Sequence, residues 1–180
     1  MYLLDAVNSN SEVFKNYPTL RKACLRLNCC NLTKKFLNSS DYKVAFENTP
    51  HAYTNFTTKT ITLPSKYNSK DKIFENSVLL QRELLFELCN TLHEKEFLDL
   101  SKEKSSLNLN GYLEKIAKIE HKSLLQFKKH SEALIPQKLE NKVLYLKEHP
   151  EWFKENGLES FTEYVKKNRS DFYKGQFNPP

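Results

Sequence analysis

The sequence predicts an α+β fold in which a small antiparallel sheet of about three short strands packs on a long central helix, with flanking helices and a helical C-terminal tail. Two observations predict it. Apolar residues recur at helical spacing over most of the 180 residues, and between Tyr42 and Leu63 that period gives way to the alternation of strands. A third bounds the size: 180 residues and 21.2 kDa fit one domain, or one domain with an appendage, enough to bury a core without disulfides or metals. The expected division is a domain over 1–136 and a helical extension over 137–180 packed on it.

The elements follow in order. Asn10 or Ser11 can cap a helix that runs, interrupted at Pro18, through Leu20, Cys24, Leu27 and Leu32. Asn38 to Asp41 is a loop by composition. Tyr42, Val44 and Phe46 then alternate with Lys43, Ala45 and Glu47, the pattern of a half-buried strand that Thr49-Pro50 breaks. Ala52–Phe56 and Thr60–Leu63 are two further strands joined by a turn at Thr57-Thr58-Lys59, and Pro64 closes the section because it cannot donate to a ladder. From Lys72 to Leu92, an apolar stripe through Ile73, Val78, Leu84, Leu85 and Leu88 predicts the longest amphipathic helix. A polar link over 101–110 leads to a second long helix carrying Tyr112, Ile116, Ile119, Leu124 and Phe127, ended by Pro136. Two short helices are expected near 138–147 and 160–167.

Composition excludes several functions. The three glycines, Gly111, Gly157 and Gly175, lie too far apart for a P-loop or a dinucleotide-binding turn, each of which needs glycines within a few residues. No apolar run approaches the roughly 20 residues that cross a bilayer. The start, Met1 to Asp5, lacks the basic-then-apolar pattern of a secretory signal. Cys24, Cys29, Cys30 and Cys89 show no C-x-x-C pair, and adjacent Cys29 and Cys30 suit neither a disulfide nor one metal; buried, reduced thiols are expected. The expected location is therefore cytoplasmic, or outside the cell by a route that needs no signal peptide. The net charge of +6 sits in the first 70 residues, which carry ten basic and four acidic side chains. With 24 lysines against four arginines, base reading and phosphate clamping are disfavoured.

The long helix carries the informative segment, Leu79-Leu80-Gln81-Arg82-Glu83-Leu84-Leu85-Phe86-Glu87-Leu88-Cys89-Asn90. Here the chain resembles the zincin-type metallopeptidases, in particular the compact type found among bacterial effectors and toxins. In that family an "I-x-L-P" edge strand leads into a helix reading Leu-x-His-Glu-Leu-x-His. The two histidines, four apart on one face, bind zinc, and the glutamate activates water. The resemblance covers roughly residues 20–130. It implies that Thr60-Ile61-Thr62-Leu63-Pro64 is the edge strand, and that the helix through Leu25-Arg26-Leu27 and Phe36-Leu37 packs beneath the sheet. It also implies that Arg82 and Phe86 replace the histidines, that Glu83 holds the general-base position, and that Glu120 holds the third-ligand position.

Arginine offers only donors and phenylalanine no lone pair, so these two cannot hold zinc. The resemblance thus implies a catalytically inactive scaffold that needs no cofactor or metal and acts by binding a protein or peptide, a host protein included. Arg82, Glu83, Phe86 and Glu120 are expected to converge in one degenerate pocket, with Arg82 paired to Glu120. A partner would add a strand along Thr60, Ile61, Thr62 and Leu63, or dock on Trp152 and Phe153 if that aromatic cluster is exposed rather than a satellite core. Two alternatives stay open. One is a metal-dependent hydrolase with a nonstandard set drawn from Glu83, Glu87, His93 and Glu120. The other is a basic adaptor that binds nucleic acid or acidic surfaces through the N-terminal helices.

Overall fold

The structure, a computed structural model, describes residues 17–28, 31–39, 41–68, 72–134, 149–154 and 156–177. Pro18 opens α1 (Pro18–Leu27), where its missing N–H leaves no intrahelical bond unmade. Leu20, Ala23, Cys24 and Leu27 recur at helical spacing and are buried. α2 (Asn31–Ser39) runs through the start of the loop expected at Asn38. The expected cap at Asn10 or Ser11, and Cys29 and Cys30, lie outside the described residues.

Strands β1 (Lys43–Glu47), β2 (Tyr53–Asn55) and β3 (Thr60–Pro64) form one α+β sheet in the order β1-β3-β2. β2 and β3 are an antiparallel hairpin with Thr54 opposite Ile61. Its turn puts Lys59 at φ 49, and the Asn55 Oδ1 accepts the Thr58 N–H at 3.0 Å. β1 pairs with β3 in parallel, Val44 opposite Ile61. The sheet is therefore mixed, which corrects the expected antiparallel one. The chain runs up, down and up, but the third strand slots between the first two instead of following the second outward.

The same insertion corrects a second expectation. Thr60–Leu63 is the central strand and not an edge, and Ile61, Thr62 and Leu63 are buried in succession. Burial on both faces is what a central strand requires, and Ile61 and Leu63 on one face with Thr62 on the other meet it. The polar, three-residue β2 suits an edge.

Helix α3 (Ile73–Thr91) packs against α1 and the sheet. Leu80, Leu84, Leu85, Leu88 and Cys89 join the buried residues of α1 with Ile61 and Leu63 in a first core. The chain then turns at Leu92-His93 into α4 (Glu94–Glu103), whose last residues were expected to be a polar link. Its sequence hides it: only Leu100 in this helix is buried, so little apolar periodicity marks it. His93 consequently sits between two helices, its Nδ1 3.0 Å from Glu96 Oε1.

Helix α5 (Leu109–Leu134) is the longest described. The tail helices α6 (Gly157–Asn168) and α7 (Ser170–Phe177) pack on it, and Leu100, Leu113, Ile116, Ala117, Trp152, Phe161, Val165 and Tyr173 make a second core. Gly157 has a steric reason: a Cβ there would lie 2.0 Å from the Trp152 carbonyl oxygen. The expected boundary at 136/137 and the helix expected over 138–147 lie outside the described residues. Among the described residues no helix is long and apolar enough to cross a membrane.

Candidate functional site

Between the outer edge of β2 and the helices lies a cavity of about 340 Å³. β2 and its flanks, Ala52 to Thr57, form one wall; Glu87 and Asn90 of α3 form another. Phe97, Ser101 and Lys104 close it on the α4 side, Tyr112, Ile116 and Glu120 on the α5 side, and Arg169, Phe172 and Tyr173 come from the tail. Among the described residues no strand pairs with the free side of β2.

Two carboxyl groups are buried here. Glu87 is 5 % exposed; its Oε2 accepts from the Thr54 hydroxyl at 2.7 Å and from Asn90 Nδ2 at 3.1 Å. Burial pushes its carboxyl up to about 7, against the pull of those two hydrogen bonds and with a further push from the charges of Glu120 and Glu83. Glu120 is 8 % exposed and is likewise raised by burial, while the Arg169 guanidinium and a hydrogen bond donated by Tyr173 to its Oε1 pull it down. Burial, the Glu120 charge and that same bond hold the Tyr173 phenol well above its ordinary range. A small adjoining space of about 20 Å³ is lined by Phe86, Trp152, Phe161 and Tyr164, and shares Glu120 and Arg169 with the large cavity.

The four residues expected to converge are divided. Phe86 and Glu120 meet across the small space. Arg82 instead lines a separate crevice with Val78, Gln81, Leu85 and Phe127, and its Nη2 lies 2.9 Å from Glu83 Oε1. Glu120 takes Tyr173 and Arg169, so the expected Arg82–Glu120 pair is corrected. The reason is helical geometry. At about 100° per residue, Arg82 and Phe86 share one side of α3, toward Phe127 of α5, whereas Glu87 lies about 140° round from Arg82.

The other predicted positions are equally plain. Thr60, Ile61, Thr62 and Leu63 offer no free edge, since β3 is paired on both sides. Trp152 is 2 % exposed: His149 stacks on it at 3.8 Å, and its carbonyl lies 2.7 Å from His121 Nε2. It is a satellite core and offers no docking surface. Phe153 is half-buried, with Lys128 Nζ 5.8 Å from its ring centroid. Arg26, part of the basic N-terminal set, turns inward and donates to Ser77 Oγ at 3.0 Å. Cys24 and Cys89 are buried free thiols, both raised by burial.

The residues that sequence reasoning passed over are Asn90, Thr54, Arg169 and Tyr173, while Glu87 entered only as one member of a nonstandard metal set. Glu87 and Asn90 did leave a signal. A carboxylate and an amide three apart, inside a helix otherwise rich in leucine, lie on one face. Nothing local marks Arg169 and Tyr173, which reach the cavity from the far end of the chain. Among the described residues no group of three or more His, Cys, Asp and Glu side chains could hold a metal ion. Compared with protein-family models, curated proteins and solved structures, the chain matches none.

Proposed function

We propose that the protein works by binding an extended peptide segment of a partner protein in the cleft between the free edge of β2 and α3. The observation that carries this reading is the juxtaposition of a sheet edge that no described strand pairs with and a polar cavity beneath it. An edge strand presents unmet N–H and C=O groups, and an added strand satisfies them while its alternate side chains enter the cavity. The binding edge is β2, in place of the central Thr60–Leu63 strand.

On this reading the chain is a degenerate zincin-like scaffold whose frame falls four residues later than the sequence resemblance implies. Phe86-Glu87-Leu88-Cys89-Asn90 stands in the His-Glu-x-x-His register, with Glu87 at the general-base position, Phe86 and Asn90 at the ligand positions, and Glu120 at the third-ligand position. The support is that Glu87, Asn90 and Glu120 share one cavity, whereas Arg82 lies outside it. Zinc does not fit this set, because Phe86 has no lone pair and Asn90 offers only a neutral amide. A hydrolytic role for a bound metal is accordingly not part of the proposal.

Two measurements test it. Random peptides displayed on phage and selected on the full chain should yield binders that fail when alternate backbone nitrogens are methylated. The same binders should fail against Ser101→Trp, which fills the exposed rim of the cavity. Binders indifferent to both changes, or no binders, overturn the peptide reading. The register has its own test. Phe86→His with Asn90→His should take up about one equivalent of zinc by elemental analysis, and Arg82→His with Phe86→His should take up none. The opposite result restores the earlier frame.

A further inference from the structure

Glu87 is incompletely bonded. Both of its hydrogen bonds fall on Oε2, which leaves Oε1 without a donor among the described residues. Asn90 turns its Nδ2 toward Glu87, as suits an ionised carboxylate that only accepts, and its own buried Oδ1 has no hydrogen-bond partner. Both residues are 5 % exposed and both line the cavity. Buried acceptors in folded proteins are almost always met by a donor from protein, water or ligand, so Asn90 Oδ1, with Glu87 Oε1 beside it on the cavity wall, offers acceptors that a donor entering the cavity would meet.

The other end of the cavity differs. Glu120 already receives the Tyr173 hydroxyl and feels the Arg169 guanidinium. The cavity thus has one end where a guanidinium already stands near the carboxyl, and another, at Glu87 and Asn90, where acceptor oxygens are left open. The aromatic residues Tyr53, Phe97, Tyr112 and Phe172 also line the cavity, and aromatic rings attract cations.

We propose that the Glu87–Asn90 end of the cavity receives a cationic nitrogen donor, an ammonium or guanidinium group, from a basic side chain of a peptide lying along β2. This rests on the reading of the cleft as a peptide site. It adds the residue class that the site selects.

The charge balance makes the site pH-dependent. The groups around Glu87 are Tyr53 from β2, Glu83 and Cys89 from α3, Lys104 after α4, Tyr112 and Glu120 from α5, and Arg169 and Tyr173 from the tail. Burial raises the Cys89 thiol and both the Tyr112 and Tyr173 phenols, so these stay neutral between pH 6 and 8. A bound cation favours ionised Glu87, whose carboxyl titrates at about 7. Affinity should therefore level off above neutrality and fall about tenfold per pH unit below it.

The test is calorimetry or NMR titration of the full chain with four pentapeptides, blocked at both ends and identical except for a central arginine, citrulline, lysine or norleucine. Spermidine and methylguanidine are the small-molecule arms. The arginine or lysine peptide should bind at least tenfold more tightly than its uncharged counterpart at pH 8, and the advantage should shrink about tenfold at pH 6. Glu87→Gln should erase it; Asn90→Leu serves as the second variant if the first does not fold. Equal binding of all four peptides overturns the cation site and leaves the peptide cleft standing. Tight spermidine or methylguanidine binding without peptide binding overturns the peptide source and keeps the shared chemistry. No binding by any probe overturns both.

Discussion

On one side of α3, Leu80, Leu84 and Leu88 are sealed against α1 and β3. On the other, Glu87 and Asn90 are nearly as buried, yet they face a polar cavity under the edge of β2. Equal burial hides opposite energetics. Each leucine contributes about 1.5–3 kcal/mol by leaving water. The buried carboxyl is held against a desolvation cost that two hydrogen bonds only partly offset, which is why it takes up a proton more readily than an exposed glutamate. The dry face stabilises the fold, and the wet face is tolerated at its expense.

The contrast can be sharpened by variants, beginning with the strongest. Leu84→Ala should destabilise the chain by about 3–4 kcal/mol in urea denaturation, because a fully buried side chain leaves a cavity between α3 and its neighbours. Loss of less than 1 kcal/mol would mean that this face is not the close-packed one.

Glu87→Gln should act in the opposite direction. The folded chain holds the Glu87 proton up to about pH 7, against an ordinary 4.5, so between those values the folded state binds more protons than the unfolded one. Stability therefore falls as pH rises through that window and is flat above it. Glutamine has no proton to lose. The variant should be more stable by about 2–3 kcal/mol at pH 8 and little different near pH 4, measured by denaturation at both. A variant destabilised at pH 8 would break the comparison.

The smallest effect belongs to Thr54→Val, which removes the hydroxyl that ties β2 to Glu87. It should cost about 1 kcal/mol. It should also move the Glu87 titration further upward, since that bond favours the ionised form; NMR titration of the carboxyl carbon reads the shift. An unchanged titration would mean that the Thr54 bond does not form in solution.

Sequence legibility follows the same division. Leu80, Leu84 and Leu88 announce a helix and its buried side, because 3.6-residue periodicity is written along the chain. Tyr42–Phe46 and the segment from Tyr53 to Leu63 announce strands and a hairpin for the equivalent reason. α4 was hidden because a helix that buries only Leu100 leaves no stripe to read. The expected pairing of Arg82 with Glu120 was not met, for a reason that no local pattern shows. Arg82 and Phe86 do lie on one side of α3, but only the positions of β2 and α5 decide which side borders the cavity.

By itself, then, the sequence determined the α+β class, the strand and long-helix segments, and the dry face of α3, all products of local periodicity. Only the tertiary structure decided that β3 lies between β1 and β2, which turned an expected edge into a centre and exposed β2 in its place. It alone brought Arg169 and Tyr173 to Glu120, about 50 residues away along the chain. Strand order and such distant encounters depend on which surfaces bury best against one another, and no residue carries that information in its immediate neighbours.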